Sequence, residues 1–264
     1  MRPEVVAHRG ASAHRAEHTL AAYALAIEDG ADGLECDVRL TRDGELVCVH
    51  DRTVNRTSDG HGVVSTLTMD RISRLDFGGW HDEFPESADD LVIGRSKPSA
   101  GPLTLAALLG LVADQSRHIR LFVETKHPVR YGALVEAKLV ALLARHGFAR
   151  PATKADSRVV VMSFSSTAIR RIRDDAPQLP TVLLLNRLWG GLVDGSLPPW
   201  ADLTGPGIHL VRRDPDYVAR ARAHGHDTYC WTVDDPADVA LCRRLGVRHL
   251  ATNSPADTRA LLAG

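Results

Sequence analysis

The sequence predicts an α/β fold built on mostly parallel strands, and three observations lead there. Short apolar, β-branched runs alternate along the 264 residues with longer stretches of helical periodicity. The runs number nine, close to the eight strands of a closed (β/α)8 barrel. Several of them also end in residues able to do chemistry, as His8, His50 and Lys126 do.

The candidate strands are residues 5–8, 33–40, 46–50, 119–126, 158–164, 181–185, 207–211, 227–233 and 248–252. Helical periodicity is clearest at 19–28, 103–113, 132–145, 166–173, 215–223 and 236–245, mostly between strands, which favours a barrel over an open sheet. The surplus strand has a cause. Only Thr41-Arg42-Asp43-Gly44-Glu45 separates the second and third runs, too short for a helix, and Asp-Gly between two strands signals a hairpin.

Two stretches break the rhythm. Residues 52–102 are rich in Gly, Ser, Asp and Pro with scattered aromatics at Phe77, Trp80 and Phe84, as expected of an insertion after the third strand at the barrel mouth. Residues 187–206 carry Trp189, Leu192 and Trp200 among glycines and prolines, and suit either packing on the barrel wall or a lid over substrate. The whole of 1–264 is thus expected to be one barrel domain.

Composition limits the function. With 44% hydrophobic and 25% charged residues, the chain can bury a large core. A net charge of −1 offers no field to draw nucleic acid or anionic lipid. The first residues lack a basic region followed by a long apolar run, and no stretch is long enough to span a bilayer, so a cytoplasmic protein is expected. Cys36, Cys48, Cys230 and Cys242 have no zinc-like spacing and are too sparse for a disulfide framework; reduced thiols in apolar segments are expected.

Chemistry concentrates in three places. In Gly33-Leu34-Glu35-Cys36-Asp37-Val38 two carboxylates sit two apart, and a strand's period of two turns both to one face. Acidic residues in an apolar strand are costly to bury unless neutralised, and a divalent cation would do so; a solvent-facing polar edge would also explain them. Glu124 and Lys126 repeat the device near the end of another strand. Three carboxylates are hard oxygen ligands, which favours Mg²⁺ or Ca²⁺ over zinc. Finally, His8-Arg9-Gly10 closes the first strand at the C-terminal rim, where barrel enzymes act. A guanidinium fork, an approachable glycine backbone and an imidazole suit a phosphate.

The hairpin allows a geometric expectation. With a two-residue Asp43-Gly44 loop, Arg42 pairs with Glu45, and counting outward sets Asp37 directly opposite His50. The same count puts Cys36 and Cys48 on opposite faces. A loop one residue longer would undo both statements.

Taken in order, His8-Arg9-Gly10-Ala11-Ser12, Glu17-His18-Thr19-Leu20, Glu35-Cys36-Asp37, Thr41-Arg42-Asp43-Gly44, His50-Asp51 and Glu124-Thr125-Lys126 resemble the glycerophosphodiester phosphodiesterase family. The likeness continues more loosely through Ser163-Phe164, Trp231-Thr232-Val233 and Thr252-Asn253-Ser254-Pro255, and so spans nearly the whole chain. The resemblance implies a TIM-type (β/α)8 barrel with an insertion after the third strand. It implies Glu35, Asp37 and Glu124 as ligands of one divalent cation, His8 and His50 as the general acid/base pair, and Arg9 and Lys126 as phosphate contacts. The substrate implied is a small glycerophosphodiester, released as glycerol 3-phosphate and an alcohol.

Two departures stand out. The family's Pro-Glu-Asn-Thr reads Ala16-Glu17-His18-Thr19 here, and its Thr-Asp-x-Pro reads Thr252-Asn253-Ser254-Pro255; neither is expected to touch the catalytic core. Glu17 stays available as a hydrogen-bond acceptor at the rim. Phe164 and Trp231 could wall the substrate or belong to the core. His61, His81, His127 and His209 are expected to be surface or structural residues. Two other readings are a superfamily phosphodiesterase acting on lysophospholipids or sphingolipids, which would want apolar surface, and a metal- and phosphate-binding barrel without turnover.

Overall fold

The computed structural model describes residues 2–80 and 100–264. Eight parallel strands form the barrel: β1 (Glu4–His8), β2 (Gly33–Leu40), β4 (Arg120–Thr125), β5 (Val159–Ser163), β6 (Thr181–Leu185), β7 (Leu203–Pro206), β8 (Tyr229–Cys230) and β9 (His249–Thr252). Their order is β7-β6-β5-β4-β2-β1-β9-β8, and parallel bridges Thr204–Thr228 and Gly207–Trp231 bring β7 and β8 together. The short β3 (Leu46–Cys48) hangs antiparallel on β2.

Helices alternate with the strands and are started by side chains suited to it. Thr19 caps α1 (Leu20–Glu28), and after α2 (Met69–Ile72) Thr104 caps α3 (Leu105–Ala113). Beyond α4 (Leu134–Arg145), Ser165 caps α5 (Ser166–Asp175). Then come α6 (Ile208–Arg213), α7 (Tyr217–Ala223), α8 (Pro236–Leu245) and α9 (Pro255–Ala263). Leu34, Cys36 and Val38 on the outer face of β2 pack beneath this layer with Tyr23, Leu105 and Leu108.

The inner face explains where the site lies. Val6, Phe122, Val160, Val182, Tyr229 and Ala251 fill the barrel interior as one apolar cluster. Gly33 makes room for it, since a Cβ there would lie 3.2 Å from Phe122 and 3.3 Å from Val6. One step of the period further along, the inward positions become His8, Glu35, Asp37 and Glu124, with His8 paired to Glu35 and Asp37 to Glu124 in register. A dry lower layer thus carries a charged upper one at the C-terminal mouth.

The seventh strand is not 207–211, as the sequence suggested, but Leu203–Pro206. Ile208 and Val211 resemble strand residues, yet they belong to α6, which buries Leu210 and Val211. The true strand holds a glycine and a proline, both of which argue against a strand. Gly205 is needed there: a Cβ would sit 2.8 Å from Leu184 and Val182.

The hairpin register also differs by one residue. The pairs are Val38–Cys48, Arg39–Val47 and Leu40–Leu46. Thr41 N–H donates to Glu45 (3.0 Å), leaving Arg42, Asp43 and Gly44 as a three-residue loop with Gly44 at φ 85°. Asp37 therefore faces Val49, whose N–H it receives at 3.0 Å, rather than His50. Cys36 and Cys48 share the outer face instead of lying on opposite ones, and both are buried in the same apolar cluster.

Within the insertion, Val54, Val64, Leu67, Ile72 and Phe77 pack on Val47 and Val49 of the hairpin. His81 and Phe84 lie outside the described residues. In 187–206, Leu188, Leu192, Leu197 and Trp200 pack on a cluster around Ile169 and Tyr217, while Trp189 is 65% exposed. Among the described residues no helix is long and apolar enough to cross a membrane.

Candidate active site

Glu35 and Asp37 come from β2 and Glu124 from β4, and one carboxylate oxygen of each lies within 4.8 Å of the others. All three are buried. Lys126 Nζ reaches Glu124 at 2.8 Å and Asp37 at 3.2 Å, and Arg9 Nε approaches Asp37 at 3.2 Å. The Arg9 backbone N–H donates to Glu35 at 3.0 Å. Arg9 holds that position at φ 62°, outside the usual range for a side-chain-bearing residue.

The three carboxylates do not ionise alike. Burial, reinforced by the Asp37 charge, pushes Glu35 well above the usual carboxylate range and raises Glu124 to about 7. Burial also opposes ionisation of Asp37, but the His18 hydrogen bond and the Lys126 charge hold it well below that range. The cluster is short of positive charge even with Lys126 and Arg9 in place. Hard oxygen donors, close convergence and this deficit fit a divalent cation.

His18, at the position that departs from the family pattern, is a partner of the cluster, contrary to the expectation that neither departure touches the core. Its Nε2 lies 3.0 Å from Asp37 Oδ2, and its Nδ1 lies 2.9 Å from the Tyr23 hydroxyl. Tyr23 in turn donates to the Glu35 carbonyl at 2.9 Å. His18 sits at φ 60°; with Arg9 it is one of two non-glycine residues with positive φ among the described residues, and both contact Asp37.

The second departure also reaches a proposed catalytic group. Asn253 Oδ1 lies 2.8 Å from His8 Nδ1 and accepts from Ser12 Oγ at the same distance, while its Nδ2 donates to Asp234. With the amide so oriented, His8 Nδ1 must carry the proton, which leaves Nε2 as a proton acceptor. Burial, then the Arg9 charge, lowers His8 to about 4.

His50 arrives by another route than cross-strand pairing. The chain leaves β3 after Cys48, and the Arg39 guanidinium grips the His50 carbonyl at 3.0 and 2.8 Å. His50 Nδ1 lies 2.7 Å from Asp51, and Arg56 ties Asp51 to Glu17. Asp51 is held at about 2, chiefly by its Arg56 hydrogen bond. Burial lowers His50, with Asp37 opposing and Arg9 and Lys126 assisting. Glu17 also takes Arg9 at 3.2 Å, so it organises the rim cations.

Phe164 and Trp231 meet edge to face at 5.3 Å, with Phe164 41% exposed and Trp231 anchored through its Nε1–H to the Gly205 carbonyl. His127 is engaged with Glu136 and His209 with the Asn186 carbonyl, so neither joins the carboxylates; His61 is exposed.

Known proteins resemble the chain over nearly its whole length. The model of the "Glycerophosphoryl diester phosphodiesterase family" matches residues 8–257. The chain belongs to that family. Its members are phosphoric diester hydrolases, and the chain is an enzyme of that class. It is 51% identical over 260 residues to a Mycobacterium tuberculosis protein named "Probable glycerophosphodiester phosphodiesterase 1", covering 98% of this chain and 92% of the relative. A Bacillus subtilis glycerophosphodiester phosphodiesterase is 33% identical, with 95% and 83% covered. The crystal structure of a glycerophosphodiester phosphodiesterase from Agrobacterium tumefaciens superposes with a TM-score of 0.76 at 27% identity, covering 98% and 99%.

Proposed function

We propose that this chain hydrolyses small glycerophosphodiesters to glycerol 3-phosphate and an alcohol, as one barrel unit that includes the insertion at 52–102. The observation that carries the reading is the convergence of three buried carboxylates with two histidines whose protons are positioned by fixed partners. Glu35, Asp37 and Glu124 would hold one divalent cation, Mg²⁺ or Ca²⁺, which when bound offsets the charge of the phosphate oxygens. Arg9 and Lys126, at the edge of the carboxylates, would bind the same phosphate.

His8 and His50 divide the proton transfers. Asn253 is neutral and fixes His8 with Nε2 unprotonated, which suits the base that removes a proton from the attacking hydroxyl or water. His50 leans on an anionic partner, Asp51, which stabilises an imidazolium, so it suits the acid that protonates the departing alcohol. Phe164 and Trp231 offer an apolar wall for the glycerol carbons, and Glu17 keeps Arg9 and Arg56 in place.

His8→Ala and His50→Ala should each lower kcat by about 10²–10⁴-fold, the range for a positioned proton-transfer group, with unchanged circular dichroism. For an alcohol of low pKa, such as nitrophenol, His50→Ala should lose far less than His8→Ala. Equal losses on both ester types would overturn the division of roles, and near-normal turnover by both variants would overturn the site.

A further inference from the structure

A cavity of about 390 Å³ is lined in part by residues that follow the proposed site residues closely in the chain. Arg39, Arg52 and Arg130 line it, with Val63, Pro128 and Tyr131 supplying apolar walls. No carboxylate is among its described lining residues. Arg52 and Arg130 form no ion pair among the described residues, and Arg130 lies 5.7 Å over the Tyr131 ring. Tyr131 also joins the two sides of the cavity, donating its hydroxyl proton to the Ser65 carbonyl at 2.8 Å.

Three separate pieces of chain lead from the site residues to the cavity lining. Arg39 follows Asp37 by two residues, Arg52 follows His50 by two, and Pro128 follows Lys126 by two. Along β2 the two residues from Asp37 to Arg39 span roughly 7 Å, the reach of an alcohol of a few atoms esterified to a phosphate held at the carboxylates. The link to His50 is direct, since Arg39 holds its carbonyl. An alcohol protonated by His50 would leave on this side.

We propose, resting on the phosphodiesterase reading above, that this cavity is the subsite for the leaving alcohol and selects alcohols that carry an anionic group. Arg52 and Arg130 would meet that group directly, while the Val63, Pro128 and Tyr131 surface takes its carbon chain. A quaternary ammonium would instead face three guanidiniums, with no carboxylate among the described lining residues.

The test compares glycerophosphodiesters of 3-hydroxypropanesulfonate, methanol and choline, which carry an anionic, neutral and cationic alcohol. The sulfonate ester should exceed the choline ester in kcat/KM by about tenfold, mainly through KM, as expected for partly screened charge contacts, and the ratio should shrink at high salt. In an Arg52→Gln/Arg130→Gln double variant the ratio should fall toward one, while the methyl ester keeps its kcat/KM. Both residues are exposed, so the fold should survive their replacement. A wild-type preference for choline, or a ratio that the double variant leaves unchanged, would overturn the subsite alone. Failure to cleave any of the three esters would overturn the phosphodiesterase reading and the subsite with it.

Discussion

Both ends of the barrel carry charge on inward-facing strand positions, half-buried at one end and buried at the other, and the two ends treat it differently. At the N-terminal end Glu4 meets Arg120 at 2.7 Å, Arg248 at 2.6 Å and His249 at 3.1 Å. Burial opposes its ionisation, but His249 and the two arginines hold it at about 2. At the mouth Asp37 is also held low by His18 and Lys126, but Glu35 and Glu124 are shifted upward by burial, reinforced by the Asp37 charge. An ion cluster with lowered carboxylates supports the fold; one with raised carboxylates works against it. The second kind persists where function needs it.

The contrast can be broken most severely at Glu35. Glu35→Gln should cut activity by about 10³-fold, since it removes a proposed ligand of the cation that would offset the charge of the phosphate oxygens. In metal-free buffer at pH 7–8 the same variant should nevertheless melt higher than the parent. A carboxylate with a raised folded pKa costs stability above its unfolded value, and that cost vanishes as pH falls to 4. A lower melting temperature at pH 8 would end the distinction between the two ends.

Glu4→Gln should do the reverse. Activity should be unchanged and stability lower by about 2 kcal/mol at neutral pH, from the fall of the Glu4 pKa from 4.5 to about 2, discounted for partial exposure. Because the folded pKa is the lower one, this contribution is present above about 4.5 and disappears as pH falls toward about 2. The melting temperatures of the two proteins should therefore converge in acid. Parallel curves down to pH 3 would contradict the assignment.

A smaller effect is expected at His18. His18→Ala should weaken cation affinity about 10–100-fold, the usual cost of removing a partner of a ligand, while His18→Asn, which restores the family's residue, should recover most of it. Isothermal titration with Mg²⁺ or Ca²⁺ measures both, and wild-type affinity in His18→Ala would make the contact merely structural.

Much of this was legible in the sequence because it rests on the period of two. The alternation of Glu35 with Asp37 and of Glu124 with Lys126 required only that the strands exist, and it located the charged layer. The hairpin register was not legible, because Asp43-Gly44 suits a two-residue loop as well as the three-residue loop that forms. His50 reaches the site through the Arg39 grip on its carbonyl, a contact no local pattern encodes. The seventh strand was hidden by Gly205 and Pro206, whose presence reflects the crowding of Leu184 and Val182. His18 and Asn253 were visible as departures from a motif, but their contacts, to Asp37 nineteen residues away and to His8 across the chain, come only from barrel closure.

The central claim is that the mouth is a cation-dependent hydrolytic site. The most direct measurement is release of glycerol 3-phosphate from a glycerophosphodiester by chelator-stripped protein, followed as Mg²⁺ or Ca²⁺ is restored. Release should be absent after stripping, return saturably with one ion per chain, and stay absent in Glu35→Gln. Undiminished release by the stripped protein would contradict the account.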